Sequence, residues 1–235
     1  QVLLSAERYL PILREVFDEL TTVKTVIVPD VEDHVSEFPF TVINGQEFFD
    51  GISIAKNLKT PERTDLASMI YTSGTTGPSK GVLLPWGLYS DSMPQIAKCL
   101  TNSDITYDPF PMFHTAGQAL AQSTIMSGGS VVLREEFKTD KFWEDIHQYN
   151  CTFAAFVPVM AQWLLNREPR PNDSDNPLRR VAMSPTIPRV KEFKERFRVQ
   201  VQTNWGMTEV GSPIGSVNFT DDITSNFGSC GKLGP

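Results

Sequence analysis

The sequence predicts an α/β fold in which mostly parallel strands alternate with helices. Over residues 105–203, short apolar runs rich in β-branched and aromatic residues alternate with segments whose apolar residues recur every three or four positions. The first pattern is typical of buried strands and the second of amphipathic helices, and their alternation is typical of βαβ units. Glycine and proline mark the boundaries between these segments. We therefore expect two sheet-and-helix subdomains, with the start of a small β element at the C-terminal end.

The predicted subdomains divide the 235 residues near position 100. Residues 1–98 are expected to form the first α/β subdomain and residues 99–212 the second. After Gly211 the helical period disappears, and residues 213–235 are interpreted as the start of a β subdomain. The whole chain is long enough for one large domain or two small ones.

Three elements are predicted in the first subdomain. Ala6–Leu20 has apolar residues at helical spacing, and Lys24–Val28 has the composition of a short buried strand. Pro29 and Asp30 end that strand. A second strand is expected over Asp65–Tyr71, which runs directly into a loop of glycine, serine and threonine.

The alternation is clearer in the second subdomain. Strands are predicted at Ile105–Phe110, Ser130–Leu133, Cys151–Val157, Arg180–Met183 and Arg198–Thr203. Helices are predicted at Ala116–Ser127, from a cap at Thr139 to Tyr149, at Val159–Asn166 and at Pro188–Phe197. Strands and helices in this order favour parallel sheets.

The composition excludes several classes of protein. Apolar residues make up 40% of the chain, charged residues 21%, and the formal net charge is -7, so a nucleic-acid partner is not expected. The three cysteines lack metal-site spacing and favour a reducing, cytoplasmic location. The most apolar stretch, Thr152–Leu165, is too short to span a bilayer. The oligomeric state is left open.

The most informative segment is YTSGTTGPSKGV, residues 71–82, and we call residues 72–80 the phosphate loop. Its glycines allow tight turns and a close approach to a ligand. Its hydroxyl groups add short hydrogen-bond donors, and Lys80 adds a compact positive charge suited to phosphate oxygens. Core-forming segments flank it on both sides, which disfavours a flexible surface linker.

The segment is not a Walker A loop. That pattern places glycine directly before the lysine and serine or threonine directly after it. Here Ser79 precedes Lys80 and Gly81 follows it. A P-loop kinase or GTPase is therefore excluded by residue identity.

YTSGTTGPSKGV closely resembles the signature loop of the adenylate-forming superfamily of acyl-CoA synthetases, peptide-synthetase adenylation domains and luciferases. The resemblance implies the fold of that family's large N-terminal domain, and a loop that holds the β- and γ-phosphates of ATP. It assigns that role to Thr72, Ser73, Gly74, Thr75, Thr76, Gly77 and Lys80.

Two further segments follow in the family's order. Residues 111–117, Pro-Met-Phe-His-Thr-Ala-Gly, resemble the motif that lines the pocket of the carboxylate substrate, which assigns that role to Phe113 and His114. By itself, His114 is more often a satisfied structural histidine. Its position between a predicted strand and helix favours a site, because ligands gather at the carboxyl ends of strands in such sheets.

Residues 204–209 resemble the family's adenine and magnesium motif, which usually has tyrosine where this chain has Trp205. A tryptophan keeps a flat ring for stacking on adenine. The resemblance assigns Thr208 to the α-phosphate and Glu209 to Mg²⁺, whose preferred ligands are oxygens. The nucleotide-binding residues of this segment are Asn204, Trp205, Gly206, Met207 and Thr208.

The chain departs from the family at residues 182–188. The family usually has a glycine-rich loop there that contacts adenine, whereas this chain reads Ala-Met-Ser-Pro-Thr-Ile-Pro. Ser184, Pro185 and Thr186 are taken as its replacements. The family's ribose-binding Asp, hinge Arg and catalytic Lys correspond to positions after Pro235, so this polypeptide by itself is expected to be a poor catalyst.

The resemblance implies an ATP- and Mg²⁺-dependent enzyme that activates a carboxylic acid as acyl-AMP and transfers the acyl group to coenzyme A. Lys80, Thr208 and Glu209 are its expected catalytic residues. The motifs resemble those of the crotonobetaine/carnitine-CoA ligase branch. The resemblance to acyl-CoA synthetases also implies a role in fatty-acid metabolism. Two alternatives remain: a domain that activates an aryl or amino acid for a carrier protein, and a non-catalytic nucleotide-binding fragment. The family branch that activates amino acids has Asp after the pocket phenylalanine, where this chain has His114.

Overall fold

The computed structural model describes residues 1–31, 38, 40–53, 55–73, 77–90, 98–215 and 228–233. The chain forms two compact units, Gln1–Thr60 and Pro61–Pro235. The α/β class that the sequence predicts is confirmed, with parallel sheets and helices. The subdomain boundaries near residues 98 and 212 remain a prediction.

The first unit contains a three-stranded parallel sheet. Its strands β1 (Val2–Leu4), β2 (Thr25–Val28) and β3 (Thr41–Asn44) lie in the order β1-β2-β3. Helix α1 spans Leu10–Val16 and helix α2 spans Gly45–Phe49. The Asn44 side chain caps α2 by accepting a hydrogen bond from the Glu47 amide at 2.7 Å.

The first predicted helix is shorter than Ala6–Leu20. Only α1 is α-helical, and 3₁₀ turns at Glu7–Tyr9 and Phe17–Glu19 flank it. Pro11 explains the start, because proline has no amide hydrogen to donate and therefore fits the first turn of a helix.

The second unit begins with an antiparallel hairpin. Strands β4 (Leu66–Thr72) and β5 (Lys80–Pro85) pair from Leu66 with Pro85 to Thr72 with Lys80. Residues 86–90, which follow the hairpin, are helical. The two ends of the phosphate loop, Thr72 and Lys80, are therefore paired across a hairpin, and Lys80 begins a strand where a Walker A loop would lead into a helix.

A five-stranded parallel sheet forms the centre of the second unit, with its strands in the order β10-β9-β8-β6-β7. The elements are β6 (Ile105–Asp108), α3 (Thr115–Met126), β7 (Ser130–Leu133), α4 (Phe142–Gln148), β8 (Phe153–Phe156), α5 (Pro158–Leu165), β9 (Arg180–Met183), α6 (Val190–Phe197) and β10 (Gln200–Gln202). Each helix thus connects two parallel strands, as the alternation in the sequence predicts.

Thr139 does not cap α4, contrary to the prediction. The helix starts three residues later, at Phe142, and its first residue is preceded by Lys141 without a side-chain cap. The Thr139 carbonyl instead accepts a hydrogen bond from Arg167 at 2.5 Å, which holds the segment before α4 against the end of α5.

The core of this sheet is an aromatic cluster between β6, β8 and the helices α4 and α6. Phe142 lies edge-on to Tyr107 and Phe156, and Phe193 lies edge-on to Phe197. All five side chains are buried. Burial of such rings is the main favourable contribution to folding here.

An ion pair fastens the start of the sheet. The buried carboxylate of Asp104 accepts hydrogen bonds from Arg180 and Thr152, each at 2.7 Å, and from the Thr101 amide at 2.8 Å. Burial acts to raise the pKa of Asp104, but these donors together hold it well below its usual range. The strands β6, β8 and β9 are therefore locked together at their amino ends.

A third, antiparallel sheet contains β11 (Asn204–Met207), β12 (Gly211–Gly215) and β13 (Lys232–Leu233). It agrees with the β element expected near the end of the chain. None of the helices in the described ranges combines the length and the apolar composition required to cross a membrane.

Candidate functional site

Candidate site residues follow three strands of the five-stranded sheet at its carboxyl edge. The segment with Phe113 and His114 follows β6, Ser184 follows β9, and Asn204 follows β10. Since all five strands are parallel, these segments leave the sheet on the same side. Strands β7 and β8 are the two neighbours of β6 in the sheet, and the chain runs from β6 first to β7 and then back to β8. The connections after β6 and after β8 therefore leave in opposite directions, so a crevice is expected between β6 and β8.

His114 has a structural role at the start of α3. Its Nδ1 atom accepts a hydrogen bond from the Ala116 amide at 3.0 Å and so caps the helix. Nδ1 is therefore the unprotonated ring nitrogen, and Nε2 carries the hydrogen. The cap fixes the orientation of an exposed imidazole at the carboxyl edge of the sheet.

The turn at residues 111–114, which we call the pocket turn, packs closely on α3. The His114 amide donates to the Pro111 carbonyl at 2.9 Å. A Cβ atom at Gly117 would lie 2.6 Å from the Pro111 carbonyl oxygen and 2.8 Å from that of Phe110, so no larger residue fits. Phe113 is 77% exposed, which leaves its ring free to contact a ligand.

The described part of the phosphate loop is open to solvent. Thr72 and Lys80 face each other across the hairpin, and the Thr72 hydroxyl lies 3.5 Å from the Lys80 carbonyl oxygen. No atom lies within 4 Å of the position that a Cβ would take at Gly77. Lys80 has no ion-pair partner in the described part of the chain. Gly74, Thr75 and Thr76 lie outside the described residues.

Ser184 and Asn204 are in direct contact. The Ser184 hydroxyl accepts a hydrogen bond from the Asn204 amide at 3.1 Å and donates one to the Asn204 side-chain oxygen. Asn204 also donates to the Ser212 hydroxyl at 2.9 Å. The contact joins the loop after β9 to the strand that carries Trp205. Pro185 is exposed and Thr186 is half-buried beside it.

Trp205 lies in β11 opposite Ile214, and 44% of its side chain is exposed. Plain core packing does not account for a ring this open. Gly206 lies where the register between β11 and β12 shifts, and a Cβ there would lie 2.1 Å from the Gly211 carbonyl oxygen. The glycine is therefore required by the bulge itself. Met207 is exposed at the end of the strand.

Thr208 and Glu209 lie in the turn between β11 and β12. Glu209 is exposed, and no cluster of three metal-ligating side chains occurs within the described ranges. One carboxylate fits the way Mg²⁺ is usually held beside nucleotides, by one or two carboxylates together with phosphate and water oxygens.

The apolar residues around β8 and α5 divide into core and surface. Phe153 and Phe156 are buried in the core, whereas Trp163 is 47% exposed. The Trp163 ring stacks on Phe137 at 6.2 Å and lines an open cavity of about 450 Å³. Thr139, Asn166 and Arg167 complete its lining.

Asp108, at the carboxyl end of β6, was missed by the motif-based reasoning. Its side chain is fully buried; one oxygen accepts the Phe110 amide at 3.0 Å, and the other has no partner among the residues described. Burial raises its pKa to about 6, although the Phe110 bond acts to lower it. The signal in the sequence is an acidic residue that ends an apolar strand.

A family model described as AMP-binding enzyme matches residues 1–235. The chain belongs to this family of AMP-binding enzymes. The resemblance that the phosphate loop and the two later motifs predict is thereby confirmed.

The relatives of this AMP-binding chain include several CoA ligases. It is 34% identical to a medium/long-chain-fatty-acid–CoA ligase, FadD17, of Mycobacterium marinum over 73% of this chain and 33% of that protein. It is 31% identical to a crotonobetaine/carnitine–CoA ligase of Salmonella heidelberg, over 72% of this chain and 34% of that protein. It is 30% identical to human long-chain fatty acid transport protein 1, over 69% of this chain and 25% of that protein. The chain thus spans a quarter to about a third of the curated relatives it matches.

Solved structures agree on the fold. A long-chain-fatty-acid CoA ligase described as putative, from Rhodopseudomonas palustris, superposes with a TM-score of 0.80 at 19% identity, over 99% of this chain and 56% of that one. A luciferase-like enzyme from the mealworm Zophobas morio superposes with a TM-score of 0.78 at 20% identity, over 100% of this chain and 55% of that one. The fold of the adenylate-forming enzymes is therefore confirmed for this chain.

The buried carboxyl of Asp108 predicts a pH-dependent stability. Because its folded-state pKa is about 6, the folded protein holds a proton that the unfolded chain has released above about pH 4. The free energy of unfolding should therefore fall between about pH 4 and pH 7, by on the order of 3 kcal/mol.

Urea denaturation of the wild type and of Asp108→Asn at several pH values measures this effect. The variant keeps the oxygen that accepts from Phe110 but cannot ionise. The wild type should lose stability relative to the variant as the pH rises. A difference that stays constant from pH 4.5 to 7.5 would contradict the assignment.

Proposed function

We propose that the protein activates a carboxylic acid with ATP and transfers the acyl group to coenzyme A. The observation that carries this proposal is the common position of the pocket turn, Ser184 and Asn204 at the carboxyl edge of one parallel sheet. The membership of the AMP-binding enzymes and the CoA ligases among the relatives support the same reaction class.

In the first step, a carboxylate oxygen of the acid attacks the α-phosphorus of ATP. The bond from the α-phosphorus to the bridging oxygen breaks, and pyrophosphate leaves with the electron pair. In the second step, the thiol of coenzyme A attacks the acyl carbon, AMP leaves and the thiol proton is released. The product is a thioester.

The chief physical demand of the first step is charge control, because a carboxylate must approach a triphosphate. Lys80 forms no ion pair among the described residues, and its compact charge suits phosphate oxygens. Donors held in place before the reaction stabilise the charge that develops. Mg²⁺, held with the help of Glu209, would supply further charge neutralisation.

The acid and the base of the nucleotide need different surfaces. The exposed Phe113 ring and the fixed imidazole of His114 offer an apolar wall and a hydrogen-bond donor beside the crevice. The exposed Trp205 ring offers a stacking surface for adenine. Ser184 and Asn204, joined by their hydrogen bonds, support the strand from which Trp205 projects.

The proposal is tested with the full-length protein and labelled pyrophosphate. Acid-dependent ATP–pyrophosphate exchange is measured with octanoate, hexadecanoate, crotonobetaine, sulfoacetate, benzoate and leucine, followed by thioester formation with coenzyme A. We expect exchange with at least one non-amino acid and transfer to coenzyme A. Exchange with leucine alone, or exchange without transfer, would favour activation for a carrier protein. No exchange with any acid would contradict the proposal.

Replacing Lys80 should slow the exchange reaction. A hydrogen bond assisted by charge contributes roughly 1.5–3 kcal/mol, so Lys80→Ala should lose about tenfold to a hundredfold in exchange rate and bind ATP more weakly. Lys194→Ala is the matched control, because Lys194 lies in the last turn of α6, toward the opposite edge of the sheet. Equal rates for Lys80→Ala and the wild type would overturn the phosphate assignment.

Glu209→Gln removes a carboxylate charge while keeping the shape of the side chain. We expect a loss of exchange activity at low magnesium that added magnesium partly restores, because the variant holds the ion more weakly. Glu195→Gln on α6 is the control, since Glu195 is exposed. The metal assignment fails if Glu209→Gln and the control respond to magnesium in the same way.

A further inference from the structure

A chain of three hydrogen bonds joins the hairpin of the phosphate loop to the pocket turn. The hydroxyl groups of Ser68, in β4, and Tyr89 lie 2.5 Å apart. The Tyr89 hydroxyl donates to the Gln118 side-chain oxygen at 2.7 Å, and the Gln118 amide nitrogen donates to the Met112 carbonyl at 2.9 Å. We call Ser68, Tyr89 and Gln118 the relay. Neither the motifs nor the family resemblance points to it.

The direction of every bond in the relay is fixed by one contact. Only an N–H group can face the Met112 carbonyl, so the Gln118 oxygen must face Tyr89. Tyr89 must then donate its hydrogen to that oxygen, and it can only accept from Ser68. All donors therefore point from the hairpin toward the pocket turn, an arrangement in which each bond strengthens the next.

The relay is shielded from water at its centre. Tyr89 is 8% exposed and packs with Ile70 and Leu84 of the hairpin, and Ala119 of α3 packs against the same cluster. Removing this hydroxyl would leave the oxygen of the half-buried Gln118 side chain without its donor. Losing one partner of a buried hydrogen bond costs more than the bond contributes, because the other partner stays unsatisfied.

Each end of the relay lies close to a proposed ligand-binding segment. Ser68 precedes Thr72 by four residues of the same strand, a distance of about 13 Å along the chain. Gln118 lies one helical turn after His114, and its backbone amide donates to the His114 carbonyl at 3.3 Å. Both connections run through regular secondary structure, so a displacement at one end is transmitted to the other.

We propose that the relay fixes the distance between the Thr72 end of the hairpin, where the phosphate loop begins, and the pocket turn, and that Tyr89 and Gln118 are positioning residues for the adenylation step. This inference rests on the proposed function. The carboxylate oxygen and the α-phosphorus must come within about 3–3.5 Å to react, and a misplacement of about 1 Å can cost on the order of a hundredfold in rate. The two substrates bind to different segments, which makes their spacing a separate requirement.

The test is steady-state ATP–pyrophosphate exchange by the full-length protein, with the panel acid that gives the fastest exchange. Tyr89→Phe removes only the hydroxyl. We expect kcat to fall by about threefold to tenfold, the range for one neutral hydrogen bond, while KM for MgATP changes by less than about twofold. Gln118→Met should give a similar loss, and the double variant should lose no more than the larger single loss.

The matched control is Gln122→Met, because Gln122 lies one turn further along α3 with an exposed side chain. It should leave kcat unchanged. A purely structural relay would predict a lower unfolding temperature for Tyr89→Phe with an unchanged kcat. That result, or additive losses in the double variant, would overturn the positioning role.

Amide hydrogen exchange of the ligand-free protein separates this inference from the proposed function. The amides of Phe110 and of residues 112–118 should exchange about threefold to tenfold faster in Tyr89→Phe than in the wild type. Their exchange rates should be unchanged in Gln122→Met. If no acid supports pyrophosphate exchange, the proposed function fails and this measurement decides the relay alone. Equal exchange in Tyr89→Phe and the wild type would show that the relay does not hold the pocket turn.

Discussion

The common direction of the five strands is the constraint on which the candidate site depends. Parallel strands send every following loop to the same edge of the sheet, so residues far apart in sequence converge there. The pocket turn after β6 and the loops after β9 and β10 meet this condition. The hydrogen bonds of buried Asp104 join β6, β8 and β9 at their amino ends. They therefore help to fix the positions of these strands along one another, and with them the points at which the following loops begin.

The pocket turn packs closely against the helix that follows it. Gly117 allows the first turn of α3 to lie against the carbonyl groups of Phe110 and Pro111, and the His114 side chain closes the same turn by capping the helix. The pocket turn is thus fixed by its own helix before any ligand binds. The hairpin of the phosphate loop is attached to this helix through Tyr89 and the apolar residues around it. Substrate pockets that are held in this way need little reorganisation during the reaction.

Much of this arrangement follows from local sequence signals. The strands Ser130–Leu133 and Arg180–Met183 were predicted to the residue. Each contains a short apolar run and has turn residues at one end, Gly128-Gly129 before the first and Ser184-Pro185 after the second. The phosphate loop, the pocket turn and the Trp205 segment were found by motif. The prediction of a cap at Thr139 was wrong because a side chain of the cap type is not sufficient. The helix starts at Phe142, and the Thr139 carbonyl accepts a hydrogen bond from Arg167.

The residues that the sequence did not reveal depend on burial or on long-range contacts. Asp108 looks like the end of a strand until its burial is known, and Tyr89 and Gln118 belong to different elements whose hydrogen bond spans 29 residues. No local pattern encodes such a pair. Gly206 is the opposite case, because the motif reveals it and a local feature explains it. The bulge in β11 requires a glycine there, whether or not a ligand binds.

We propose that the phosphate loop, the Trp205 segment and the pocket turn bind one nucleotide and its acid partner together. A crystal structure of the full-length protein with Mg²⁺ and a non-hydrolysable ATP analogue tests it most directly. We expect the β- and γ-phosphates to lie against Lys80, the adenine ring against Trp205, and the α-phosphate to face the pocket turn. A nucleotide bound elsewhere, or a triphosphate out of reach of Lys80, would contradict it.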